Sequence, residues 1–445
     1  MPVVVLPRWA GALAAVAGLT VAGLAAVPAD ASSQAPALSR PVASSRSVAS
    51  GPSAKPKFVR AYHAARLPSG FTQVCPQPSS PGVMQCAIVV HSASVTAANR
   101  PASGTLSPGQ LRAAYGLSSA ANASNKSTIA IVDAYNDWHA AGDLATYRGY
   151  YGLRSCTTSG KCLRVVNQKG TTAWYPKGNS GWAEEESLDL DMVSAICPNC
   201  KILLVEANNT SIGALSAAED TAVRLGAKFV SNSWDGGEFS TEANYDSHFN
   251  HPGVAITVSS GDYGYGTLYP AVSPYVTSVG GTTLWMKGKS RTEEKVWSQD
   301  AQDGTGSGCS SQLEAQPAWQ SAYASSSGCA YRIDNDVAAD ADPRTGPAVY
   351  DSYPPSGEGL PKGWQQLGGT SVSAPIIAGV YALASPGGKP ATGSHPAQFL
   401  YLATSGLRDI TLGSNRNCGT LLCTAGTGYD GPTGLGVPSG VNAFR

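Results

Sequence analysis

Runs of β-branched and other apolar residues alternate along the chain with stretches whose apolar positions recur at helical spacing. The strand-like runs are 127–135, 201–207, 227–234, 253–262 and 275–281. The helical patterns between them lie at 140–150, 182–196 and 211–225, with a less regular one near 241–250. Strands and helices alternating in this order predict an α/β fold, in which a parallel β-sheet carries helices on both faces.

Polar residues stand where the predicted strands end. Asp133, Glu206, residues 232–234 and Asp262 each close one of the apolar runs. The carboxyl ends of parallel strands lie at one edge of a sheet, and ligands of open α/β sheets bind beyond that edge. We therefore expect the chemistry of this protein there.

The region before residue 105 differs in composition from the rest. An apolar run behind Arg8, with a small-residue site at Ala29–Ala31, predicts a secretory signal peptide over 1–31, with an uncleaved membrane anchor as the alternative. Residues 32–57 are rich in Ser, Ala and Pro and are typical of a linker. We interpret 58–104 as a short pro-region and 105–445 as one globular domain.

Cysteine spacing and charge narrow the class of protein. Ten cysteines fall into five close pairs, which in an exported chain indicates local disulfides. For Cys197 and Cys200 the alternative is half of a zinc site, although the chain has no second CxxC to complete it. The chain carries 30 acidic and 30 basic residues, and this balance argues against nucleic acid or an anionic membrane as its partner. A secreted monomer is expected.

The helical pattern 182–196 is unusually acidic. Glu185 and Asp189 are four residues apart and share a stripe with Met192 and Ile196, so they are expected to face inward. Two carboxyl groups one turn apart in an apolar setting raise each other's pKa and can act as a general base and acid. The other stripe, formed by Glu184, Ser187, Asp191 and Ser194, is expected to face water. The alternative is that the whole segment is an ordinary solvated surface helix.

The stretch GGTSVSAPIIAGV, residues 368–380, predicts a sharp glycine turn that leads into a buried helix. Such a turn presents Ser371 together with backbone N–H groups. It suits a nucleophile, and it equally suits a plain helix cap.

Several motifs in order resemble one enzyme family. The ExxLD pattern of residues 185–189, SNSW at 231–234, SSGDYGYG at 259–266, the stretch 269–284 and the C-terminal AGTGYDGPTGLG together resemble the sedolisin family of serine-carboxyl peptidases. The resemblance covers residues 107–445 and implies a subtilisin-like fold. No stretch resembles the HGTxVA histidine segment of subtilisins.

The resemblance implies a role for each matching residue. Ser371 is the expected nucleophile, Glu185 its base and Asp189 the carboxyl group that supports Glu185. Asp262 is expected in the oxyanion hole, Asp133 in an acidic chain behind the pair, and Trp234 in the wall of the substrate cleft. An aspartic acid donates a hydrogen bond only when protonated, so activity is expected at acid pH.

The resemblance also implies one structural Ca2+. Its expected ligands are the side chains of Asp409 and Asp430 and the carbonyl groups of Ile410, Gly426 and Gly428. Oxygen atoms from flexible loops are the ligands that this hard cation prefers. Asp residues in glycine-rich turns also serve simply as turn caps, which is the alternative.

These observations predict a secreted peptidase that hydrolyses polypeptides through an acyl-enzyme on Ser371, as an endopeptidase or as a tripeptidyl-peptidase. The region ahead of the catalytic part is much shorter than the pro-domain usual in the family, which argues against inhibition by a pro-segment but leaves that question open. Two alternatives remain: a subtilase that uses Asp133, a histidine such as His139 and Ser371, and a binding module with a peptidase fold but no turnover.

Overall fold

The structure is a computed structural model that describes residues 70–78, 80–91, 99–298, 303–311, 313–354, 362–385, 395–416 and 418–445. All of them belong to one compact unit, Ala54–Arg445. The predicted signal peptide (1–31), the linker (32–57) and residues 58–69 of the predicted pro-region lie outside the described residues.

Eight α-helices are found in the described part of the chain. They are α1 (Pro108–Ala114), α2 (Ser118–Asn122), α3 (Ala140–Tyr150), α4 (Ser180–Ile196), α5 (Ile212–Arg224), α6 (Ser321–Ala324), α7 (Thr370–Ala384) and α8 (Ala397–Leu402). Three 3-10 helices cover Glu242–His248, Thr404–Gly406 and Asn442–Phe444. The less regular pattern near 241–250 is thus a 3-10 helix, which agrees with its weak periodicity.

Twenty strands accompany them in the same residues. They are β1 (Phe71–Gln73), β2 (Gln85–Cys86), β3 (Val89–His91), β4 (Thr128–Ala134), β5 (Leu163–Asn167), β6 (Lys201–Ala207), β7 (Phe229–Asn232), β8 (Trp234–Gly237), β9 (Ala255–Ser259), β10 (Tyr263–Tyr265), β11 (Leu268–Tyr269), β12 (Thr277–Lys287), β13 (Ser290–Val296), β14 (Gly304–Cys309), β15 (Ile333–Asp334), β16 (Val337–Asp340), β17 (Ala348–Asp351), β18 (Gly363–Gly368), β19 (Leu407–Arg408) and β20 (Val437–Pro438).

The central sheet confirms the predicted α/β fold. Its order is β13-β12-β9-β7-β4-β6-β5, with β16 also paired to β12. All neighbours are parallel except β12 and β13. Asp133 on β4 stands in register with Glu206 on β6, so strand ends that are distant in sequence meet at one edge.

Helices α4 and α7 are buried along their whole length. The expectation that Glu184, Ser187, Asp191 and Ser194 face water is therefore wrong. Helix α4 packs against α7, α3 and β17. Groups on α3 and β17 bond to the polar stripe, because the Arg148 guanidinium donates to Ser194 at 2.7 Å and the backbone N–H of Tyr350 donates to Asp191 at 3.0 Å. The Gln365 amide on β18 donates to Glu184 at 2.8 Å.

The described part of the predicted pro-region is built into the same unit as the catalytic part. Strands β1 and β3 form an antiparallel sheet with β18 and β17, in the order β1-β3-β18-β17. Strand β2 pairs with β8, which also pairs with β11.

All five predicted cysteine pairs are disulfides, and the described residues contain no free cysteine. Cys197 and Cys200 are bonded to each other, which excludes the zinc alternative. None of the helices in the described ranges is long and apolar enough to cross a membrane.

Candidate active site

The turn between β18 and α7 places Ser371 at the start of a buried helix. Gly369 has a φ of 104°, a conformation that side chains rarely adopt. A Cβ atom added there would lie 2.1 Å from the carbonyl oxygen of Ala87, and one on Gly368 would lie 2.3 Å from the Pro343 nitrogen. The two glycines are therefore needed both for the sharp turn and for the close approach of other backbone.

The hydroxyl group of Ser371 lies 3.0 Å from the carboxyl oxygen Oε2 of Glu185 and 3.3 Å from the carbonyl oxygen of Ser233. Both are acceptors for its single proton. Ser371 and Glu185 are fully buried. The structure thus brings together two side chains that are 186 residues apart in sequence.

Behind Glu185 lie two more buried carboxyl groups. Burial raises the pKa of Glu185, and the charges of Asp189 and Asp133 raise it further. Burial likewise raises the pKa of Asp189, whose Oδ1 accepts a 2.7 Å hydrogen bond from the Ser233 hydroxyl. Among the described residues, Glu185 Oε1, Asp189 Oδ2 and both oxygens of Asp133 have no hydrogen-bond partner. None of the salt bridges between described residues involves these three carboxyl groups, so they are expected to share protons.

Asp262 sits beside the nucleophile turn. Its Oδ1 accepts hydrogen bonds from the backbone N–H of Thr370 at 2.8 Å and from the Thr370 hydroxyl at 3.0 Å. Its Oδ2 has no partner in the described part of the chain and lies 2.7 Å from the position of a Cβ on Gly369. Burial raises the pKa of Asp262, and the nearby charge of Asp235 adds to the increase. A protonated Oδ2 is a hydrogen-bond donor directed at this turn.

The model of the subtilase family matches residues 170–420, more than half of the chain. The chain belongs to the subtilase family. The matched stretch includes Glu185, Asp189, Asp262 and Ser371, whereas Asp133 precedes it.

Within the subtilases, the chain is similar to the sedolisins. Kumamolisin of Bacillus sp. (strain MN-32) is 32% identical over 296 residues, which are 61% of this chain and 51% of kumamolisin. Sedolisin of Pseudomonas sp. (strain 101) is 27% identical over 379 residues, 77% of this chain and 61% of that protein. The chain therefore spans between half and two thirds of the length of these relatives.

A solved structure agrees with these matches. Pseudomonas sedolisin, a serine-carboxyl proteinase complexed with two molecules of pseudo-iodotyrostatin, has a TM-score of 0.62 and 27% identity to this chain. The match covers 75% of this chain and 95% of that one. The resemblance to the sedolisin family and the subtilisin-like fold are confirmed.

The histidines of this subtilase have partners other than Ser371. His139 lies 2.8 Å from the Ser352 hydroxyl, and His248 and His251 lie 2.7 and 3.5 Å from Asp220. His91 is 3.3 Å from the Gln366 side chain, and the His395 ring packs against that of Tyr275. The structure therefore gives no support to a histidine base, at least for the five histidines that it describes.

Trp234 contributes its backbone to the site. Its ring is fully buried, and its indole N–H donates to the carbonyl oxygen of Val132 at 2.9 Å. Its backbone pairs with that of Cys86. Its neighbour Ser233, which bonds both to Asp189 and to the Ser371 backbone, was missed as a site residue. Its only signal in the sequence is its position at the end of a predicted strand.

The C-terminal loops bring the predicted calcium ligands into one region. The backbone N–H of Gly428 donates to Asp409 at 2.8 Å, and that of Gly426 donates to Asp430 at 3.2 Å. Burial raises the pKa of Asp430 to about 7, with a smaller contribution from the charge of Asp409. Elsewhere, Asp137, Asp143 and Asp351 form a buried acidic cluster whose ligand atoms lie within 4.8 Å of one another.

Proposed function

We propose that this protein is a serine-carboxyl peptidase that hydrolyses peptide bonds at acid pH through an acyl-enzyme on Ser371. The observation that carries the proposal is the 3.0 Å contact between the Ser371 hydroxyl and the Glu185 carboxyl group, with no imidazole bonded to that hydroxyl among the described histidines. A serine hydroxyl is a weak nucleophile until a neighbouring group accepts its proton. Glu185 is the group in position to do so.

Burial is what makes Glu185 effective in this role. An exposed carboxylate is a poor base, whereas a raised pKa gives it more affinity for the serine proton. As Ser371 Oγ bonds to the substrate carbonyl carbon, its proton passes to Glu185. Glu185 then donates that proton to the departing amine. The charges of Asp189 and Asp133 raise the pKa of Glu185 further, and this strengthens its affinity for the serine proton.

The developing negative charge on the substrate carbonyl oxygen needs donors. The backbone N–H of Ser371 and the protonated Oδ2 of Asp262 both face the glycine turn, where that oxygen would lie. When Asp262 ionises it can no longer donate. The reaction is therefore expected to slow as the pH rises through the raised pKa of Asp262.

The proposed substrates are polypeptides, and the proposed setting is outside the cytosol. Five disulfides support an oxidising compartment. Relatives include human tripeptidyl-peptidase 1, 28% identical over 224 residues, so release of tripeptides and internal cleavage both fit the proposal. We further propose that the protein acts as a secreted monomer.

We also propose that the C-terminal loops hold one Ca2+. The carboxyl groups of Asp409 and Asp430 are close enough for the charge of Asp409 to raise the pKa of Asp430. Together with the backbone carbonyl groups of these turns, they form the set of oxygen ligands that this cation prefers. The side chains of Asp409 and Asp430 and the carbonyl groups of Ile410, Gly426 and Gly428 would hold it. When bound, the ion would stabilise these loops and take no part in the reaction.

The test is digestion of a peptide library between pH 3 and 8 with wild type, Glu185→Gln and the matched control Glu184→Gln. Glutamine keeps the volume of glutamate but cannot serve as a base. Loss of a general base costs on the order of 10²- to 10⁴-fold in rate, and we expect that loss for Glu185→Gln alone. Glu184 is buried on the same helix but bonds to Gln365, so its variant should stay near wild type. Equal losses in both variants would overturn the proposed role of Glu185.

A further inference from the structure

Strands β2 and β3 run in extended form through the candidate active site. Gln85 on β2 pairs antiparallel with Asp235 on β8, and β3 pairs antiparallel with β18 next to the nucleophile turn. Between them, the carbonyl oxygen of Ala87 accepts a 3.4 Å hydrogen bond from the backbone N–H of Ser371. A peptide that pairs with β8 and β18 in the same way carries its side chains in the same register. These strands therefore indicate which groups each position of a bound peptide meets.

The side chain two positions before Ala87 meets two polar groups. Gln85 lies directly opposite Asp235, so their side chains share one face of the sheet. The NH2 group of the Gln85 amide donates to Asp235 Oδ1 at 3.1 Å and to the Tyr263 hydroxyl at 2.8 Å. Gln85 and Asp235 are each at most 1% exposed. Asp235 and Tyr263, named the amide subsite below, thus offer one acceptor for each proton of a single amide group.

The amide subsite is suited to a neutral side chain. Burial raises the pKa of Asp235 to about 7, so at acid pH this group is an uncharged carboxylic acid. Its Oδ2 has no hydrogen-bond partner among the described residues and is available to hold the proton, while Oδ1 accepts from the amide. An ammonium group brought here would be buried without a counter-charge, which costs far more than burying an amide. A side chain without N–H groups would leave both acceptors without a donor.

The amide subsite also lies next to the proposed oxyanion donor. Asp235 Oδ2 is 3.3 Å from the position of a Cβ on Gly261, the residue that precedes Asp262. The charge of Asp235 contributes to the raised pKa of Asp262. A change at Asp235 is therefore expected to alter the pH profile for every peptide. The ratio of the rates of two peptides, measured with one variant at one pH, does not contain this common effect.

We propose that the amide subsite selects polypeptides that carry glutamine two positions before the residue whose carbonyl group Ser371 attacks. The proposal rests on the proposed function and adds a substrate class to it. The position calls for a side chain that reaches from the peptide backbone to Asp235 and Tyr263 and ends in two N–H groups without charge. Glutamine meets both conditions, whereas asparagine is one methylene group shorter and lysine is charged.

The first test is kcat/KM at pH 4 for fluorogenic peptides that differ at one position. In each peptide, Ser-Ala-Ile follows the variable residue, which copies residues 86–88 with serine in place of Cys86. Glutamine should exceed methionine, a side chain of similar length, by about 10- to 100-fold, because methionine leaves two acceptors without a donor. Lysine should be as poor as methionine. Equal values for glutamine and methionine, or a preference for lysine, would overturn the proposal.

Variants of the protein test whether the amide subsite causes the preference. Asp235→Ala should bring the ratio of glutamine to methionine within about threefold of one, and Tyr263→Phe, which keeps the ring, should lower it about fivefold. The matched control is Glu238→Gln. Glu238 is another buried carboxyl group, but it accepts from the Ser310 hydroxyl at 3.0 Å and from the backbone N–H of Ser311 at 2.9 Å. This control should keep the full ratio, and a full ratio in Asp235→Ala would contradict the proposal.

A second measurement does not depend on peptide cleavage. In Ser371→Ala, hydrogen exchange of the backbone amides of residues 85–90 is compared for Gln85→Met, Asp235→Ala and the double variant. Each single change should speed exchange by about tenfold. The double variant should stay within about threefold of the faster single variant, because both changes remove the same hydrogen bond. Accelerations that multiply would overturn the recognition of the amide by Asp235.

The two measurements separate failure of this proposal from failure of the proposed function. If the exchange rates are coupled but no variant cuts any peptide, the proposed function fails while the amide contact stands. If peptides are cut with no preference for glutamine, the proposed function stands and the amide subsite is overturned.

Discussion

Asp262→Asn gives the sharpest test of how the oxyanion site works. In the wild type, Oδ1 of Asp262 is fixed as an acceptor by the N–H and hydroxyl of Thr370. An asparagine in the same position must therefore direct its carbonyl oxygen at Thr370. Its NH2 group then falls where Oδ2 lies, beside Gly369. The variant supplies the same donor as a protonated aspartic acid, but at every pH.

The expected changes in rate follow from the loss of one hydrogen-bond donor to the oxyanion. Removing a single oxyanion-hole donor costs about 2.7 to 4 kcal/mol, or about 10²- to 10³-fold in kcat. Asp262→Ala should show that loss at all pH values. At low pH, kcat of Asp262→Asn should stay within about tenfold of wild type, because an amide N–H donor replaces the carboxylic acid O–H donor.

The pH dependence has a definite sign. Burial raises the pKa of Asp262, with Asp235 and Asp303 adding to the increase. The protonated form is the active one, so wild-type activity is full below that pKa and falls as the pH rises through it. In Asp262→Asn this decrease in activity should be absent, so the pH at which activity falls on the alkaline side should be higher than in wild type.

The assay is kcat/KM for a fluorogenic peptide from pH 3 to 9. Glu242→Gln is the matched control. This variant neutralises another buried carboxyl group, and burial raises the pKa of that group to about 9. The Glu242 carboxyl group lies outside the site and accepts a hydrogen bond from the backbone N–H of Phe239. The control should leave the profile unchanged. An alkaline limb at the same pH in Asp262→Asn and wild type would refute a donor role for Asp262.

Two further predictions concern stability, and both use Ser371→Ala to avoid self-digestion. Burial raises the pKa of Glu219 to about 8. The protonated side chain therefore stabilises the folded protein fully at a pH below the ordinary pKa of glutamate. This stabilisation is lost as the pH rises toward 8, by about 1.4 kcal/mol per pH unit. The midpoint temperature of thermal unfolding should therefore decrease as the pH is raised from 4 to 8, and it should decrease less in Glu219→Gln. Equal decreases in the two proteins would contradict this. Chelation of Ca2+ should lower the midpoint, and Asp430→Asn should remove that response, whereas a midpoint unmoved by chelator would argue against a bound ion.

Local patterns in the amino-acid sequence predict strands of the central sheet, the disulfide pairs and the candidate catalytic residues. Alternating apolar runs predicted β4, β6 and β9 at the observed positions, because strand and helix periodicity are local properties. Close cysteine pairs predicted the disulfides for the same reason. Helical spacing placed Glu185 and Asp189 on one stripe of α4, and the glycine turn marked Ser371.

Which surfaces of a helix or strand are covered depends on the packing of the whole domain. The second stripe of α4 is buried because α3 and β17 pack against the helix and groups on α3, β17 and β18 bond to its polar side chains, which no periodicity within the helix can reveal. Strands β2 and β3 pair with residues about 150 and 280 positions away, as the Cys86–Trp234 and Val89–Gly368 pairs show. Such pairing depends on where the two sheets stand relative to each other, and that is set by the packing of the whole domain.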